Sequence, residues 1–361
     1  MVTVIITGLV AVFFAYFGQF KEYEKGLKIA FLPIFLFLSL RYDYGNDYHA
    51  YYEQFQLLQS YGLERFQLYN KMEIGWVYLN YIFSPLGFFA MVAFLSYFNC
   101  VVYYKIIKEF VPKKYYWLAV FLYVFNPYIM LVHLSAMRQS LAILIFLLAL
   151  KFFLKKRIVH FALVIIFASF FHKSVLLILP LIFLLLSKWK INLKASIIVV
   201  IIFVSLFFLG SLISGYVNLF LTTYLVKYAH HTENDVEVIL GSGLGILSML
   251  IALLVTLYYT EIQDEKLKYI FKIYIISFFI IPISLYVFLV SRTGFYLSVF
   301  SILVYPNIVD SVKNNLSKKI ILFFFIAITG YNFYVFFKSP IWQEDYGTYQ
   351  TILSRLNFLD N

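Results

Sequence analysis

Residues 135–157 read SAMRQSLAILIFLLALKFFLKKR, an apolar run that separates a lone arginine from a cluster of basic residues. A helix needs roughly 20 predominantly apolar residues to cross about 30 Å of hydrocarbon. Similar runs recur from Val2 to Phe337 with short polar breaks between them. The sequence therefore predicts an all-α, polytopic integral membrane protein with about twelve transmembrane helices.

The composition excludes several other classes of protein. Of the 361 residues, 63% are hydrophobic and 13% are charged, which leaves too little polar surface for a water-soluble globule. The net charge of +11 does not indicate nucleic-acid binding, because the lysines lie in short clusters between apolar runs. Cys100 is the sole cysteine, so neither an intramolecular disulfide nor a Cys-rich zinc site is expected.

The basic clusters predict the topology, since cytoplasmic loops carry an excess of Lys and Arg. The clusters placed inside are Lys21, Lys25 and Lys28; Lys105 to Lys114; Lys151 to Arg157; Lys188 to Lys194; and Lys313 to Lys319. Counting spans then places both termini outside, together with Arg41 to Glu73, the turns at Arg138 and His172, Gly215 to Leu240, and Arg292. We predict one transmembrane domain, 1–361, with an interfacial helix in external loop 41–73, a re-entrant segment 74–86 and external loop 215–240.

The segment 40–48, LRYDYGNDY, places an arginine at the end of an apolar span and an acid after a glycine turn. Asp47 can cap the aromatic-rich helix that follows, because a carboxylate accepts hydrogen bonds from the free amides at a helix start. It can equally serve in chemistry, and the two roles are compatible. Arg41 can be an interfacial anchor or a contact to a ligand.

Arg138 lies in the first turn of a predicted helix, where a cation is unfavourable unless an anion is close by. An arginine beside free helix amides makes a good phosphate cradle, since its planar fork and the amides both donate hydrogen bonds. We therefore favour an anion-binding role for Arg138 over simple anchoring. Arg292 stands between apolar runs without an aqueous loop, which also indicates a nearby anionic partner.

The turn at His172 places polar groups between apolar runs on the same predicted face. Histidine titrates near neutral pH, so this side chain can act as an acid or a base, although a solvated turn histidine fits equally well. His133 can share the same cavity. Two patterns are weaker: the glycines of 241–245 lack the strand that precedes a phosphate loop, and the polar residues of 230–235 show no defined metal-ligand spacing.

The order of these motifs resembles the EpsG-like branch of the Wzy-type exopolysaccharide and O-antigen polymerases. The residues that carry the resemblance are Arg41, Gly45-Asn46-Asp47-Tyr48, Tyr51, Arg138-Gln139-Ser140-Leu141-Ala142, His172-Lys173-Ser174, Arg292 and Tyr296. It implies a fold similar to the membrane C-type glycosyltransferases, in the bacterial inner membrane, with the active site facing the periplasm. The implied reaction transfers a growing glycan from undecaprenyl diphosphate to a lipid-linked repeat unit.

The resemblance also implies roles for individual residues. His172 and Asp47 are the catalytic candidates, with Glu73 as a third option for the proton acceptor. The candidates for binding diphosphate or glycan are Arg41, Arg138, Gln139, Arg292, Tyr48 and Tyr296. Neither a metal nor another cofactor is expected. The implied partners are undecaprenyl-diphosphate-linked glycans as donor and acceptor, membrane lipid and a chain-length regulator, with no nucleic acid.

Rival functions fit part of the pattern. A transporter or flippase for lipid-linked oligosaccharides would have as many spans, but the two halves show no internal repeat and the key residues lie at external helix ends. An O-antigen ligase would use the same lipid diphosphate donor and differ only in its acceptor. A membrane acyltransferase would need a cytosolic thioester site, and a purely structural subunit would leave the costly arginines without a purpose.

Overall fold

The computed structural model describes residues 1–69, 72–180, 190–224, 244–284 and 288–354. The chain forms two compact units. The first unit contains Met1–Leu176 and the chain from Tyr305 onward, and the second unit is Leu177–Val304.

The first unit is built from helices joined by short turns. Its helices are α1 Val2–Phe17, α2 Gly26–Ser39, α3 Tyr48–Tyr69, α4 Ile74–Phe83, α5 Phe88–Phe110, α6 Tyr116–Phe125, α7 Leu131–Ser135, α8 Met137–Leu154 and α9 Ile158–Ser169, with α15 Asn315–Lys338 and α16 Pro340–Tyr346 near the end of the chain. Short 3-10 turns lie at Lys21–Tyr23, Lys113–Tyr115 and Lys173–Leu177.

The second unit contains longer apolar helices. These are α10 Leu193–Tyr224, α11 Leu244–Thr260, α12 Glu265–Ser284 and α13 Phe288–Ser298, and they are followed by α14 Ser301–Ser311, which leads back into the first unit. Residues 215–224 therefore belong to a helix and not to the predicted external loop 215–240. The rest of that loop lies outside the described residues.

The helices confirm a helical membrane protein. Within the described residues, α5, α8, α12 and α15 are long and apolar enough to cross a bilayer, and several shorter apolar helices accompany them. The count of about twelve spans stays a prediction. Helix α4 has 10 residues, or about 15 Å at 1.5 Å per residue, which is short for a full crossing of the hydrocarbon. The re-entrant placement of segment 74–86 stays a prediction.

The basic clusters of the first unit lie at the end opposite to Arg41 and Arg138. Helices α8 and α9 run in opposite directions from the basic turn between them, so Arg138 at the start of α8 and His172 after α9 share one end. At the other end, Lys113 Nζ lies 3.8 Å from Glu24 Oε1 and thereby joins two of the basic turns. This arrangement fits the charge rule used to predict the topology.

A two-stranded antiparallel sheet joins distant parts of the chain. Strand β1, Arg41–Tyr42, pairs with β2, Gln350–Thr351, in a register that places Arg41 opposite Thr351 and Tyr42 opposite Gln350. The end of the chain therefore returns to the segment that carries Arg41 and Asp47.

Candidate functional site

Arg138 forms the centre of a polar cluster at the start of α8. Its Nη1 donates to Glu73 Oε2 at 2.5 Å, and its Nε donates to Tyr51 Oη at 3.4 Å. The guanidinium also lies 5.8 Å from the centroid of the Tyr51 ring. The side chain of Arg138 is 24% exposed and that of Glu73 is 13% exposed, so the pair is sheltered but open on one side.

Tyr51 comes from the first turns of α3 and is packed into the core of the unit. Its ring contacts Trp76 at a centroid distance of 5.2 Å, and its side chain is 4% exposed. Burial raises the pKa of Tyr51, and the positive charge of Arg138 opposes that shift. The phenol therefore stays protonated at neutral pH and holds the guanidinium in place through its oxygen.

The second oxygen of Glu73 faces the turn after α9. Glu73 Oε1 accepts from the backbone N–H of Lys173 at 3.4 Å, and Gly75 N–H donates to Phe170 O at 2.8 Å. A Cβ at Gly75 would stand 2.7 Å from Phe170 O, so the two turns can approach this closely only with glycine there. This contact brings Arg138, Glu73 and the turn of His172 into one cluster.

His172 is buried in its turn rather than solvated. Its side chain is 7% exposed, and Nδ1 lies 2.7 Å from Ser174 Oγ, a contact in which donor and acceptor depend on the tautomer. The hydroxyl thereby fixes the orientation of the imidazole ring. The structure thus removes the solvated-turn interpretation and leaves a proton-transfer role for His172 as a prediction.

Asp47 lies at the same end of the unit. The Asp47 N–H donates to Ser135 Oγ at 3.2 Å, and that hydroxyl donates to Asn46 Oδ1. Gly45 adopts φ 117°, and a Cβ there would stand 3.0 Å from Ser135 Oγ. Asp47 directly precedes α3, and its backbone carbonyl accepts from Tyr51 N–H at 3.1 Å, which places the residue at the N-cap position. Capping by the Asp47 carboxylate stays a prediction.

Arg41 is enclosed by the protein. It is 2% exposed, its Nη1 donates to Leu38 O at 2.5 Å, and its Nη2 donates to Leu134 O at 3.5 Å. The guanidinium lies 5.5 Å from the centroid of the Tyr48 ring, and Tyr48 Oη donates to Arg41 O at 3.1 Å. Burial lowers the pKa of Arg41, and the surrounding tyrosines oppose this effect.

Two more predicted contact residues are also buried. Tyr48 is 1% exposed and packs edge-on against Phe88, and Gln139 is 4% exposed inside α8. Like Arg41, they are closed to a ligand from solvent in this arrangement, because protein atoms cover them. Direct contact of these residues with a substrate stays a prediction, and the geometry favours a positioning role.

A small cavity lies beneath Arg41. It is lined by polar side chains of Ser96, Asn99 and Ser140 among apolar neighbours, and it has room on the order of one water molecule. Asn99 Oδ1 also accepts a hydrogen bond from Tyr123 Oη. These groups give the interior of the unit below Arg41 a polar character that its sequence of apolar runs does not indicate.

Arg292 and Tyr296 belong to the second unit. Both lie within α13, where Arg292 is half-buried and Tyr296 is fully buried, and the helix continues through Arg292 without a loop. Their role in binding stays a prediction. The cluster around Arg138 is built from the first unit alone.

Several candidates lie outside what the structure describes. These are the side chain of His133, the polar residues of 230–235 and the glycines 241 and 243. Among the described residues, no group of three His, Cys, Asp or Glu side chains gathers as a metal site would require. Independence from metals stays a prediction.

Sequence reasoning missed the partner of Arg138. Glu73 was expected only as an alternative proton acceptor, whereas its carboxylate neutralises Arg138 and anchors the His172 turn. The need of a buried arginine for an anion was a usable signal, but the sequence offered many acids. Gly75, two residues after Glu73, is a second signal in the sequence, since a glycine there permits a close approach of another segment.

The protein is a helical membrane protein whose first unit holds an arginine, a carboxylate, a phenol and an imidazole at one end. Such a site can bind an anionic group and accept a proton close to it. The chain belongs to the EpsG family, whose family model matches residues 27–351. No curated protein and no solved structure matches it. Family membership confirms the resemblance and indicates a glycosyltransferase-like enzyme of the exopolysaccharide polymerase kind.

Proposed function

We propose that this protein polymerises an exopolysaccharide or O-antigen by transferring a growing glycan from undecaprenyl diphosphate to a lipid-linked repeat unit. The observation that carries the proposal is the partly exposed Arg138, in the first turn of α8 and paired with Glu73. The first amides of a helix lack carbonyl partners within that helix. Arginine and amides together suit a diphosphate, which carries several acceptor oxygens.

The transfer can be written with residues of the first unit. The acceptor hydroxyl oxygen bonds to the anomeric carbon while the bond from that carbon to the diphosphate oxygen breaks. The hydroxyl proton passes to a carboxylate or an imidazole, and the diphosphate departs with the bonding electron pair. Arg138 stabilises the negative charge that develops on the leaving group.

The choice of proton acceptor follows from exposure. Asp47 is half-buried, whereas His172 is 7% exposed, so Asp47 is more open to an acceptor glycan from solvent. We propose Asp47 as the base and His172 as a second candidate. Glu73 already neutralises Arg138 and is better suited to hold this arginine until the diphosphate takes its place.

We place the proposed site on the periplasmic side of the bacterial inner membrane. The basic turns lie at the other end of the first unit, and positively charged loops favour the cytoplasm. Arg292 and Tyr296 stay candidates for substrate binding in the second unit, and a chain-length regulator stays a candidate partner. No metal and no nucleotide sugar enter the proposed reaction.

Gel analysis of surface polysaccharide tests the proposal after deletion of the native gene. Wild type, Arg138→Ala and the control Lys151→Ala, at the opposite end of α8, are restored separately at matched membrane abundance. Under the proposal, the ladder collapses to single repeat units with Arg138→Ala and is restored by the other two. Normal polymer length with Arg138→Ala contradicts the role of this arginine.

The same experiment separates the rival functions. Internal accumulation of lipid-linked units that have not crossed the membrane would indicate a flippase. Full-length polymer that stays on its lipid carrier would indicate an O-antigen ligase.

A further inference from the structure

Residues 340–352, here called the chain end, are hydrogen-bonded to the loop that carries Asp47. Besides the pairing of β1 with β2, Ile352 N–H donates to Leu40 O at 2.9 Å, and Gly45 N–H donates to Asp345 O at 3.0 Å. The loop from Arg41 to Asp47 is therefore bonded to the chain end on both sides of Tyr44.

Three tyrosines interlock at this junction. The ring of Tyr44 meets Tyr346 edge-on at a centroid distance of 5.3 Å and Tyr349 at 5.2 Å, and Tyr44 is 2% exposed. Tyr349 also stacks on Phe37 at 4.6 Å. Edge-on and stacked rings of this kind stabilise the folded state by more than the burial of their apolar area alone.

The phenol groups add hydrogen bonds in two directions. Tyr349 Oη donates to Phe37 O at 2.6 Å, on the α2 side of the loop. Tyr346 Oη donates to Leu131 O at 3.0 Å, in α7, the short helix that leads into Arg138. Burial raises the pKa of Tyr349 to about 12, so this phenol remains a donor at physiological pH.

These contacts link the two segments that form the candidate site. Ser135, at the end of α7, holds Asp47 and Asn46, and Leu134 O accepts from Arg41. The chain end touches the loop on one side and α7 on the other. A shift of the chain end would therefore move Asp47 relative to Arg138.

We infer that residues 340–352 form a C-terminal clasp that positions Asp47 and Arg138 for the reaction, with Tyr346 and Tyr349 as its positioning residues. The inference rests on the proposed function for its effect on polymer formation. The attachment of the clasp to β1 is independent of any activity.

A disulfide across the sheet tests the attachment. Tyr42 and Gln350 are directly opposite in an antiparallel pair, where Cα atoms are about 4.5–5.5 Å apart, a separation that a disulfide spans. The only native cysteine, Cys100, is buried. We expect a Tyr42→Cys/Gln350→Cys protein to cross-link in membranes under mild oxidation, as read by mass mapping. Failure to cross-link at normal abundance would overturn the clasp itself.

The hydroxyl groups test the positioning role. The Tyr346→Phe/Tyr349→Phe protein keeps both rings but loses two hydrogen bonds, and we expect roughly tenfold less long polymer at equal abundance. The control Tyr331→Phe/Tyr334→Phe changes two exposed tyrosines of α15 and should leave the ladder unchanged. Wild-type polymer from the Tyr346→Phe/Tyr349→Phe protein would overturn the positioning role.

Reversible locking separates positioning from general damage to the fold. Adding Tyr42→Cys/Gln350→Cys to the Tyr346→Phe/Tyr349→Phe protein should restore polymer in oxidant and lose it again in reductant. If the cross-linked Tyr42→Cys/Gln350→Cys protein, with no other substitution, made no polymer, the inference would be overturned, because the clasp would then have to open during the reaction. The two claims can fail separately. If the cross-link forms but deletion of the gene leaves polymer formation unchanged, the proposed function is rejected and the clasp is retained.

Discussion

Replacing Glu73 by glutamine should strengthen the binding of a diphosphate at Arg138. The substitution keeps the shape of the side chain but removes the charge that competes for the guanidinium at 2.5 Å. Because both side chains are less than a quarter exposed, at 24% and 13%, solvent screens this contact only in part. The protein used as the reference is the full-length wild type in detergent.

The size of the effect follows from the lost charge, because the glutamine amide can still accept a hydrogen bond from the charged guanidinium. Ion pairs at protein surfaces contribute roughly 0.2–1 kcal/mol, and this sheltered pair belongs at the upper end of that range, about 1 kcal/mol. About 1 kcal/mol corresponds to about fivefold tighter binding for a ligand that must displace the side chain at position 73. Inorganic pyrophosphate is the probe, and calorimetry at fixed ionic strength gives its Kd.

The control is Glu53→Gln, which changes an exposed carboxylate of α3 that pairs with His49 at 3.1 Å. This variant should bind pyrophosphate like the wild type, and Arg138→Gln should lose the binding. Equal or weaker binding by Glu73→Gln would refute the reasoning, because Glu73 would then support the anion site rather than compete with the ligand.

Three further predictions concern the frame of the site. Gly75→Ala should abolish polymer formation at retained abundance in the same gel assay, since the new Cβ would stand 2.7 Å from Phe170 O and force the turns apart; a normal ladder would contradict this. With an impermeant maleimide on intact cells, exposed Asn46→Cys should be labelled and exposed Lys155→Cys should not, and the reverse pattern would invert the proposed topology. Burial and the acidic neighbours Glu344, Asp47 and Asp43 raise the pKa of Asp345 above its ordinary value of 3.8. Ionisation of Asp345 therefore lowers the stability of the folded protein as the pH rises from 3.8 through the raised pKa. Asp345→Asn should raise the Tm at pH 7, and this gain should disappear below pH 3.8.

The sequence was sufficient for the class of fold and for the grouping of motifs in the first unit. Apolar runs and basic turns placed Arg138 and His172 at one end, and the structure brings their turns together through Glu73. The reason is that span length and charge bias are local properties that a single sequence displays.

The sequence was not sufficient for the detailed partners. Arg41 and Arg138 look alike as arginines at span ends, yet Arg41 is 2% exposed and bonds to backbone carbonyls, whereas Arg138 is paired with a carboxylate and partly open. Burial of this kind depends on how distant helices pack, which local pattern does not encode. The same applies to Tyr346 and Tyr349, whose contacts with the Asp47 loop cross nearly the whole chain.

That long separation has a consequence for biosynthesis. Tyr349 follows its hydrogen-bond partner Phe37 by 312 residues. At about 5–20 residues per second, the ribosome supplies the tyrosine on the order of 15–60 s after the phenylalanine. During that interval the segment around Asp47 lacks its contacts with Tyr349. A nascent chain arrested before Tyr349 would therefore have most of its helices inserted but an incomplete site. Membrane insertion and maturation of the site are thus separate events in time, and only a chain that includes Tyr349 is expected to be competent.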